Sequence, residues 1–403
     1  MDARAFRNSP AGRLVSSAAG WAFVPHPLPP RLVMDVVLQR QVAAAGRAVG
    51  ELACLYQSLA DPDLFVPPFI QREAAFSSRL AKRAVHLSDL YACRADGPGF
   101  ASWALEGNED DLREALRLAQ TLERADQRLP DTAINLRLIR ELHAQLQGRQ
   151  SRSEFRQTHS WIGAPDSGPQ AAEYVPPPPE ELQLALNKME TYLVDASAAQ
   201  PDPIVRLAFI TYQFEAIHPF LDGNGRVGRL LLALLPCRWG LLPHPLLTMS
   251  AHFARSQPEC DERLLTVSRD GDWRGWVSYF VQGVESQARD GLRRMNLLHR
   301  VHLAYHSRLE RMLSGPARPV PSGGYTLALK HRLPDRLLET PILTVSGLQV
   351  ILGVNRLNTE RAAQYLVDAG VLTPLSPAAS RASGPGPRPP LYAAIELLNA
   401  MTL

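Results

Sequence analysis

The sequence lacks the features by which composition alone would assign a function. Its four cysteines, Cys54, Cys93, Cys237 and Cys260, are scattered and do not have the spacing of a metal site or a redox motif. The net charge is only +3, which is too small to indicate binding to nucleic acid or to an anionic membrane. No apolar run is long enough to cross a bilayer, and no signal peptide is recognisable. We therefore expect a cytoplasmic protein in a reducing compartment.

Hydrophobic residues are abundant and recur mainly at helical spacing. They make up 45% of the 403 residues, which is enough for two or three domains with cores of their own. The expected fold class is mainly α. Helices are predicted at residues 34–59, 67–92, 109–125, 135–147, 180–196, 204–217, 252–266 and 273–313, with a further helix from residue 226.

The composition along the chain predicts five segments. Residues 1–33 are rich in Ala, Arg and Pro and are expected to be flexible. Residues 34–130 are predicted as an N-terminal helical region, and residues 131–313 as a helical core. Gly and Pro in residues 314–326 are typical of a linker. Residues 327–403 are predicted to form a separate C-terminal domain.

The most informative stretch is residues 218–229, which read His-Pro-Phe-Leu-Asp-Gly-Asn-Gly-Arg-Val-Gly-Arg. The histidine can take a proton from a hydroxyl group, and Asp222 is an oxygen ligand suited to Mg²⁺. The backbone N–H groups of residues 223–225 can point at an anion, because glycine tolerates the conformations this requires. Arg226 and Arg229 share one face of a helix and can both bind phosphate. Together these groups indicate phosphoryl-type transfer from a nucleotide.

The residues around this motif predict a helix on each side of it. The apolar spacing in residues 204–217 indicates one helix, which Pro219 and the glycines end. The next helix is apolar nearly all round and is therefore expected to be buried, with the turn at its anion-binding N-terminus. The alternative is an ordinary Gly-Asn-Gly turn between two core helices with incidental charges. The motif matches neither a Walker A loop nor a zinc site.

The motif resembles the signature of the Fic (filamentation induced by cAMP) family, His-x-Phe-x-Asp/Glu-Gly-Asn-Gly-Arg-x-x-Arg, at every specified position. The resemblance extends over about residues 65–295 and implies a Fic-type helical bundle with a β-hairpin flap. Outside the motif it rests on Phe155-Arg156, on Trp161-Ile162-Gly163, on Tyr174-Val175 with the four prolines that follow, and on Gly271-Asp272-Trp273.

Most Fic enzymes transfer AMP from ATP to a Ser, Thr or Tyr hydroxyl of a target protein. The resemblance implies the same Mg²⁺-dependent reaction here, on a target or on the chain itself, with ATP and Mg²⁺ as cofactors. It makes His218 the base, for which an imidazole pKa near neutrality is suitable, and Asp222 the metal ligand. It places the phosphates on Gly223, Asn224, Gly225, Arg226, Val227, Gly228 and Arg229. The resemblance does not decide whether the chain forms a homodimer.

The flap is implied at Trp161, Ile162 and Gly163. In the functional interpretation a segment of the target protein adds to its edge as a strand, which brings the target hydroxyl to His218. The alternative is an ordinary edge strand followed by a stiff polyproline entry, residues 176–179, to the helix at residue 180. No other strand pair is expected in the catalytic region.

The motif by itself does not decide which phosphorus is attacked. Attack at the α-phosphorus transfers AMP, whereas a nucleotide bound in reverse would make the chain a phosphotransferase, as in the family's Doc branch. Doc-like motifs usually carry Lys where this chain has Arg226. That difference favours AMP transfer.

Many family members also carry an inhibitory helix, Ser/Thr-x-x-x-Glu-Gly/Asn, whose glutamate pairs with the second motif arginine. Aligned by its neighbours, this chain has Ser77 in place but Ala81 and Lys82 where Glu and Gly are expected. A literal match occurs at residues 102–108, in which Glu106 would be the inhibitor. Either Glu106 inhibits the enzyme after an insertion, or the earlier helix has lost its inhibitory glutamate and Glu106 is an exposed residue without that role.

Residues 327–403 resemble the small winged-helix modules appended to many bacterial Fic proteins. Helices are predicted to end at residue 340 and to cover 345–351 and 355–369, with wing strands at 371–375 and 391–394. Binding to DNA would place Asn355, Arg356, Asn358 and Arg361 in the major groove. Seven Lys/Arg against five Asp/Glu give no clear basic face. A packing or dimerisation module is therefore an equal alternative.

Two classes of function follow from these residues. The first is a protein adenylyltransferase with a regulatory appendage. The second is a DNA-binding transcriptional regulator whose Fic core senses a nucleotide without catalysis. The complete set of catalytic residues favours the enzyme, because a sensor would not need His218.

Overall fold

Helices make up most of the chain, as predicted. The computed structural model describes residues 1–18, 20–95, 108–149, 153–163, 168–195, 197, 201–314, 324–375 and 390–402. The helices are α1 Val36–Ser58, α2 Val66–Leu80, α3 Leu87–Ala95, α4 Glu109–Arg128, α5 Leu136–Leu146, α6 Gly168–Ala171, α7 Pro179–Val194, α8 Pro203–Ile217, α9 Asn224–Arg238, α10 Met249–Arg255, α11 Gln257–Asp270, α12 Trp273–Ser314, α13 Gly324–Leu327, α14 Leu333–Glu339, α15 Val345–Leu352, α16 Arg356–Asp368 and α17 Ile395–Thr402. The strands are β1 Gly12–Ser17, β2 Gly20–Pro25, β3 Ile342–Thr344, β4 Thr373–Leu375 and β5 Leu391–Ala393.

The chain divides into two compact units. The first consists of Met1–Ala53 and Gln120–Arg289, and the second of Cys54–Ala119 and Asp290–Leu403. Residues 34–130, which the sequence predicts as one helical region, therefore contribute to both units. None of the helices in the described parts of the chain combines the length and hydrophobicity that a membrane span requires.

Two of the predicted helices are each divided into a pair. The helix expected at residues 67–92 is α2 and α3, because Lys82 between them adopts a left-handed conformation with φ 58° that does not continue a helix. The helix expected at residues 252–266 is α10 and α11, which meet at Ser256, where φ is −139°. Pro258 stands in the first turn of α11, a position that suits proline because the N–H has no helical acceptor there.

The N-terminal residues are folded, against the expectation that residues 1–33 are flexible. Strands β1 and β2 form an antiparallel hairpin in which Gly12 pairs with Pro25 and Ser17 with Gly20. The ring of Phe23 is fully buried against Tyr174. This hairpin lies outside residues 131–313, the region in which the flap is expected to be the only strand pair. Burial against distant residues orders this hairpin, and composition does not reveal such contacts.

The C-terminal residues form a small sheet with helices around it. The strand order is β3-β5-β4, all antiparallel, with Ile342 opposite Ala393 and Leu375 opposite Leu391. The predicted end of α14 and the predicted bounds of α15, α16, β4 and β5 each lie within two residues of the observed ones. Gly370, which follows α16, has a φ of 67°. The tip of the expected wing, residues 376–389, lies outside the described residues. The winged-helix assignment stays a prediction.

Candidate active site

Helices α8 and α9 support the loop that carries the motif. Helix α8 ends at Ile217 and α9 begins at Asn224, so that residues 218–223 connect them. Most side chains of both helices are buried, as their nearly continuous apolar sequence predicts. The two buried helices therefore fix both ends of the loop between them.

His218 occupies the turn directly after α8. Its backbone is left-handed, with φ 51° and ψ 64°, a conformation that few residues other than glycine adopt. Its N–H donates to the carbonyl of Phe214 at 3.0 Å and so caps the helix. The imidazole lines a pocket of about 320 Å³ in the first unit. The histidine is therefore one of the residues that enclose this pocket.

Arg156 holds this turn in place. Its guanidinium group donates to the carbonyls of His218 at 2.8 Å, Ile217 at 3.3 Å and Thr158 at 3.1 Å, and also to that of Pro177. The side chain is buried, and burial lowers its pKa to about 10, so it remains charged at neutral pH. In the sequence, Arg156 is noted only as part of the family resemblance. Its role in holding the turn could not be predicted, because its acceptors come from three separate stretches of the chain.

The environment of His218 shifts its pKa from the usual 6.5 to about 4. Burial is the main cause, since it disfavours the charged imidazolium, and the positive charge of Arg156 acts in the same direction. Its Nδ1 atom is buried and has no hydrogen-bond partner among the residues that the structure describes. The pKa thus lies below the near-neutral value expected from the sequence. The imidazole is in its proton-accepting form throughout the physiological range.

Asn224 and His143 shape the loop. The Asn224 side chain accepts from the N–H of Phe220 and donates to its carbonyl, both at 2.8 Å. Nε2 of His143 lies 2.9 Å from the carbonyl oxygen of Asp222, and the His143 ring stacks on Phe220 with 3.8 Å between centroids. The Asn224 side chain is therefore engaged within the loop. Because its side chain is occupied in this way, Asn224 can contact a phosphate only through its backbone N–H.

The start of α9 has the features of an anion site. Gly223 precedes it with a left-handed φ of 82°, and the first N–H groups of a helix have no acceptor within it. A guanidinium nitrogen of Arg226 lies 3.0 Å from a carboxylate oxygen of Asp222. Arg229 approaches Gly225 so closely that a Cβ added there would lie 2.8 Å from Nη1. Both arginines therefore stand beside the loop, and Gly225 makes room for one of them.

Asp222 is the most accessible charged group of the loop. Its side chain is 79% exposed. Mg²⁺ in nucleotide sites is usually held by one or two carboxylates together with phosphate oxygens and water. An exposed carboxylate next to a helix N-terminus fits an ion that arrives with a nucleotide.

Two residues predicted to bind phosphate face the core instead. Val227 is fully buried, and its N–H donates to the Gly223 carbonyl within the helix at 3.0 Å. Gly228 packs against α8, where a Cβ would lie 2.8 Å from Oε1 of Glu215 and 3.1 Å from the ring of Phe214. These positions serve helix packing, because they fall on the inner side of α9.

Glu215 is a charged residue of the site that the sequence analysis did not identify. It lines the pocket together with His218 and Asp261. Burial raises its pKa to about 7, while the positive charge of Arg229 opposes this shift and the charge of Asp261 adds to it. Its carboxyl group therefore changes charge near neutral pH, close to the second arginine of the motif. The only sequence signal is a carboxylate in the last turn of an apolar helix.

The flap forms one wall of the pocket. Ile162 and Tyr174 make an isolated antiparallel bridge, in which the N–H of Ile162 donates to the Tyr174 carbonyl at 2.8 Å. The hydroxyl of Tyr174 donates to the carbonyl of Ala216 at 2.9 Å and so attaches the flap to α8. Of the predicted flap residues, Ile162 lines the pocket and Trp161 is 39% exposed. Gly163 has a φ of 152°.

The hypothesis that Glu106 is an inhibitor concerns residues outside the described part of the chain. It stays a prediction. The other stretch aligned with the inhibitory helix lies at the end of α2, where Ala81 stands in place of the glutamate. Helix α2 ends at Leu80, and Ala81 is its C-terminal cap. Ser77 is fully buried in the same helix.

The candidate DNA contacts lie at the start of α16. Asn355 is its N-terminal cap, and its side chain accepts from the N–H of Asn358 at 3.0 Å. Arg356 pairs with Glu360 at 3.0 Å, and Arg361 is exposed. A capping role accounts for Asn355 without DNA. Contact of these residues with DNA stays a prediction.

Comparison with known families gives two matches along the chain. The model described as "Fic/DOC family" matches residues 133–235, which include the whole motif. The model described as "Fic/DOC family N-terminal" matches residues 39–127.

The curated relatives share only part of their length with this chain. "Protein adenylyltransferase Fic" of Drosophila grimshawi is 32% identical over 155 residues, which are 38% of this chain and 29% of that protein. "Protein adenylyltransferase fic-1" of Caenorhabditis briggsae is 32% identical over 153 residues, or 37% of this chain and 27% of that protein. The match thus spans less than a third of these relatives.

A crystal structure of a Fic family protein from Desulfovibrio desulfuricans G20 has a TM-score of 0.54 and 17% identity, with 91% of this chain and 98% of that chain covered. This similarity shows that the two chains share a fold.

Proposed function

Since the chain belongs to the Fic/DOC family, we propose that it is a protein adenylyltransferase, which transfers AMP from ATP to a hydroxyl group of a protein. The observation that carries this proposal is the position of His218. His218 lines a pocket, its imidazole is neutral at physiological pH, and it is the first residue of the loop that leads to the N-terminus of α9. A base and an anion-binding helix end thus stand on one short loop, which is the arrangement that hydroxyl attack on a phosphate ester requires.

The proposed reaction uses His218 as the proton acceptor. The oxygen of a Ser, Thr or Tyr hydroxyl forms a bond to the α-phosphorus of ATP as its proton moves to the imidazole. The bond from that phosphorus to the bridging oxygen breaks, and pyrophosphate leaves. Backbone N–H groups at the start of α9, with Arg226 and Arg229, stabilise the phosphate charge, which is the main catalytic contribution in such transfers.

Arg156 and Asn224 act by positioning. Arg156 fixes the turn that orients His218, and Asn224 fixes the loop before α9. Asp222 would hold Mg²⁺, which neutralises phosphate charge when bound. Its side chain is exposed and lies within reach of Arg226, so that the carboxylate and the arginine meet the same nucleotide.

The flap is proposed to align the target. Successive residues of an extended strand direct their backbone groups to opposite sides. Because Ile162 bonds to Tyr174, the backbone groups of Trp161 and Gly163 point to the other side. A target segment paired along that edge would run past the pocket that His218 lines.

Labelled nucleotides test the proposal directly. The protein is incubated with Mg²⁺ and either α-³²P-ATP or γ-³²P-ATP, alone and with a cell lysate, and labelled proteins are resolved on a gel. We expect label from the α-phosphate only. His218→Ala should abolish labelling but leave ATP binding within a few-fold, and His331→Ala, which changes an exposed histidine elsewhere, should label normally.

Other outcomes would identify the alternatives. Transfer of the γ-label would mean a phosphotransferase. ATP binding without transfer of either label, in the presence of lysate and with His218→Ala unchanged, would indicate a nucleotide sensor. Mass spectrometry of a labelled peptide would identify the target and the modified residue.

A further inference from the structure

Three possible metal ligands converge in the second unit, in residues that the proposed reaction does not use. His302 and His306 lie one turn apart on α12, and Asp335 lies in the first turn of α14. Nε2 of His302 is 2.8 Å and Nε2 of His306 is 3.8 Å from Oδ1 of Asp335. The two Nε2 atoms are 3.3 Å apart. The i, i+4 spacing places both imidazoles on one face of the helix, and the carboxylate meets them from another helix.

Hydrogen bonding does not account well for this geometry. If Nε2 of His302 donates its proton to Asp335, the same nitrogen has no lone pair left to accept from His306. The separation of 3.8 Å between His306 and Asp335 exceeds a hydrogen bond. At most one good contact therefore forms, although three polar atoms point at one place.

A tetrahedral metal ion fits the same three atoms better. Zinc binds imidazole nitrogen and carboxylate oxygen at about 2.0–2.2 Å, which places neighbouring ligand atoms of a tetrahedron about 3.3–3.6 Å apart. The separations of 2.8, 3.3 and 3.8 Å lie around that value. Small movements of side chains would make them equal.

We propose that His302, His306 and Asp335 bind a divalent transition-metal ion of the zinc type, with the fourth position open to water or to another ligand. Two imidazoles and one carboxylate suit Zn²⁺ and Co²⁺, whereas Mg²⁺ and Ca²⁺ require oxygen ligands. The site is independent of the proposed adenylyl transfer.

The surroundings of the three side chains suit such a site. The His302 side chain is 12% exposed, that of His306 31% and that of Asp335 38%, so an ion can enter from solvent and is then partly shielded from it. The ring of Phe65 lies edge-on to His302 with 5.8 Å between centroids and helps to orient the imidazole. A bound ion would link α12 to α14 and stabilise the folded second unit.

Titration of the whole chain with zinc tests the proposal. The protein is produced without a histidine tag, stripped with EDTA and dialysed, and ZnCl₂ is added in a calorimeter while melting temperature is followed in parallel. We expect one ion per chain at micromolar affinity or tighter and a rise in melting temperature with zinc concentration. Co²⁺ should give the intense visible absorption of a tetrahedral site.

Three variants assign the site. His306→Ala and Asp335→Asn should each weaken zinc binding at least about tenfold and abolish the cobalt band, because each removes one ligand. His299→Ala, on the same helix but outside the three ligands, should bind as the wild type does. Circular dichroism and the metal-free melting temperature confirm that each variant is folded, and the partly exposed His306 tolerates substitution. The proposal is overturned if the wild type shows no zinc-dependent change, or if His306→Ala binds with unchanged affinity.

Discussion

Nε of Arg156 donates a hydrogen bond to the backbone carbonyl of His218 at 2.8 Å, and this contact holds the turn from which the imidazole faces the pocket. The same guanidinium also bonds to the carbonyls of Thr158 and Pro177, which belong to the stretch around the flap. One buried side chain thus links the turn after α8 with the segments on both sides of the flap. The position of the proposed base depends on an arginine far from it in the sequence.

Replacement of Arg156 should affect both stability and transfer. Arg156→Ala leaves buried carbonyl groups without a donor, and hydrogen bonds to a charged group contribute about 1.5–3 kcal/mol each. We expect a clearly lower melting temperature and at least about a tenfold loss of AMP transfer at temperatures where the variant is folded. Arg137→Ala, which removes an exposed helix ion pair, is the control and should change neither measurement appreciably. Normal transfer by a folded Arg156→Ala protein would contradict the positioning role.

The low pKa of His218 predicts an unusual titration. Histidine C2-hydrogen exchange followed by mass spectrometry should place its pKa near 4 in the free protein. Because the folded pKa lies below the unfolded value of about 6.5, the contribution of His218 to stability is present above that pH. It is lost as the pH falls through about 4. A pKa near 6.5 in the folded protein would show that the imidazole is solvated.

Gly225 should be essential because of the space it leaves. A Cβ at this position would lie 2.8 Å from Nη1 of Arg229, so that Gly225→Ala must displace the arginine. We expect a higher KM for ATP and at least about a tenfold lower kcat/KM, with the melting temperature nearly unchanged. Gly46→Ala in α1 is the matched control, because nothing lies within 4 Å of its added Cβ. That variant should keep its activity and gain about 0.5–1 kcal/mol of stability. Equal kinetics for the two variants would contradict the role of Arg229.

Glu215 should make stability depend on pH near neutrality. Its folded pKa of about 7 lies above that of an unfolded Glu, so its contribution is fully present below the unfolded pKa and is lost as the pH rises through about 7. Glu215→Gln removes this titration. Urea unfolding between pH 4.5 and pH 8 should therefore show the wild type losing stability relative to the variant as the pH rises. Parallel curves for the two proteins would mean that the carboxyl group is not buried as described.

The helices and the motif are predictable because their signals are local. Apolar spacing in residues 204–217 and in the residues from 226 onward suffices to place α8 and α9 around the loop, since a buried helix shows its periodicity in its own sequence. The loop needs glycine at position 223, where φ is 82°. Local signals were not sufficient at Ser256 and Lys82, where the backbone interrupts a continuous apolar pattern.

The sequence by itself determined that the chain is mainly helical and which residue types stand at the candidate site, because periodicity and a contiguous motif are properties of neighbouring residues. Only the tertiary structure decided what each of them does there. It engaged Asn224 within the loop, directed Val227 into the core, and brought Arg156 and Glu215 to the site from outside the motif. The reason is physical: burial, pKa and hydrogen-bond partners depend on residues that meet only after the chain has folded.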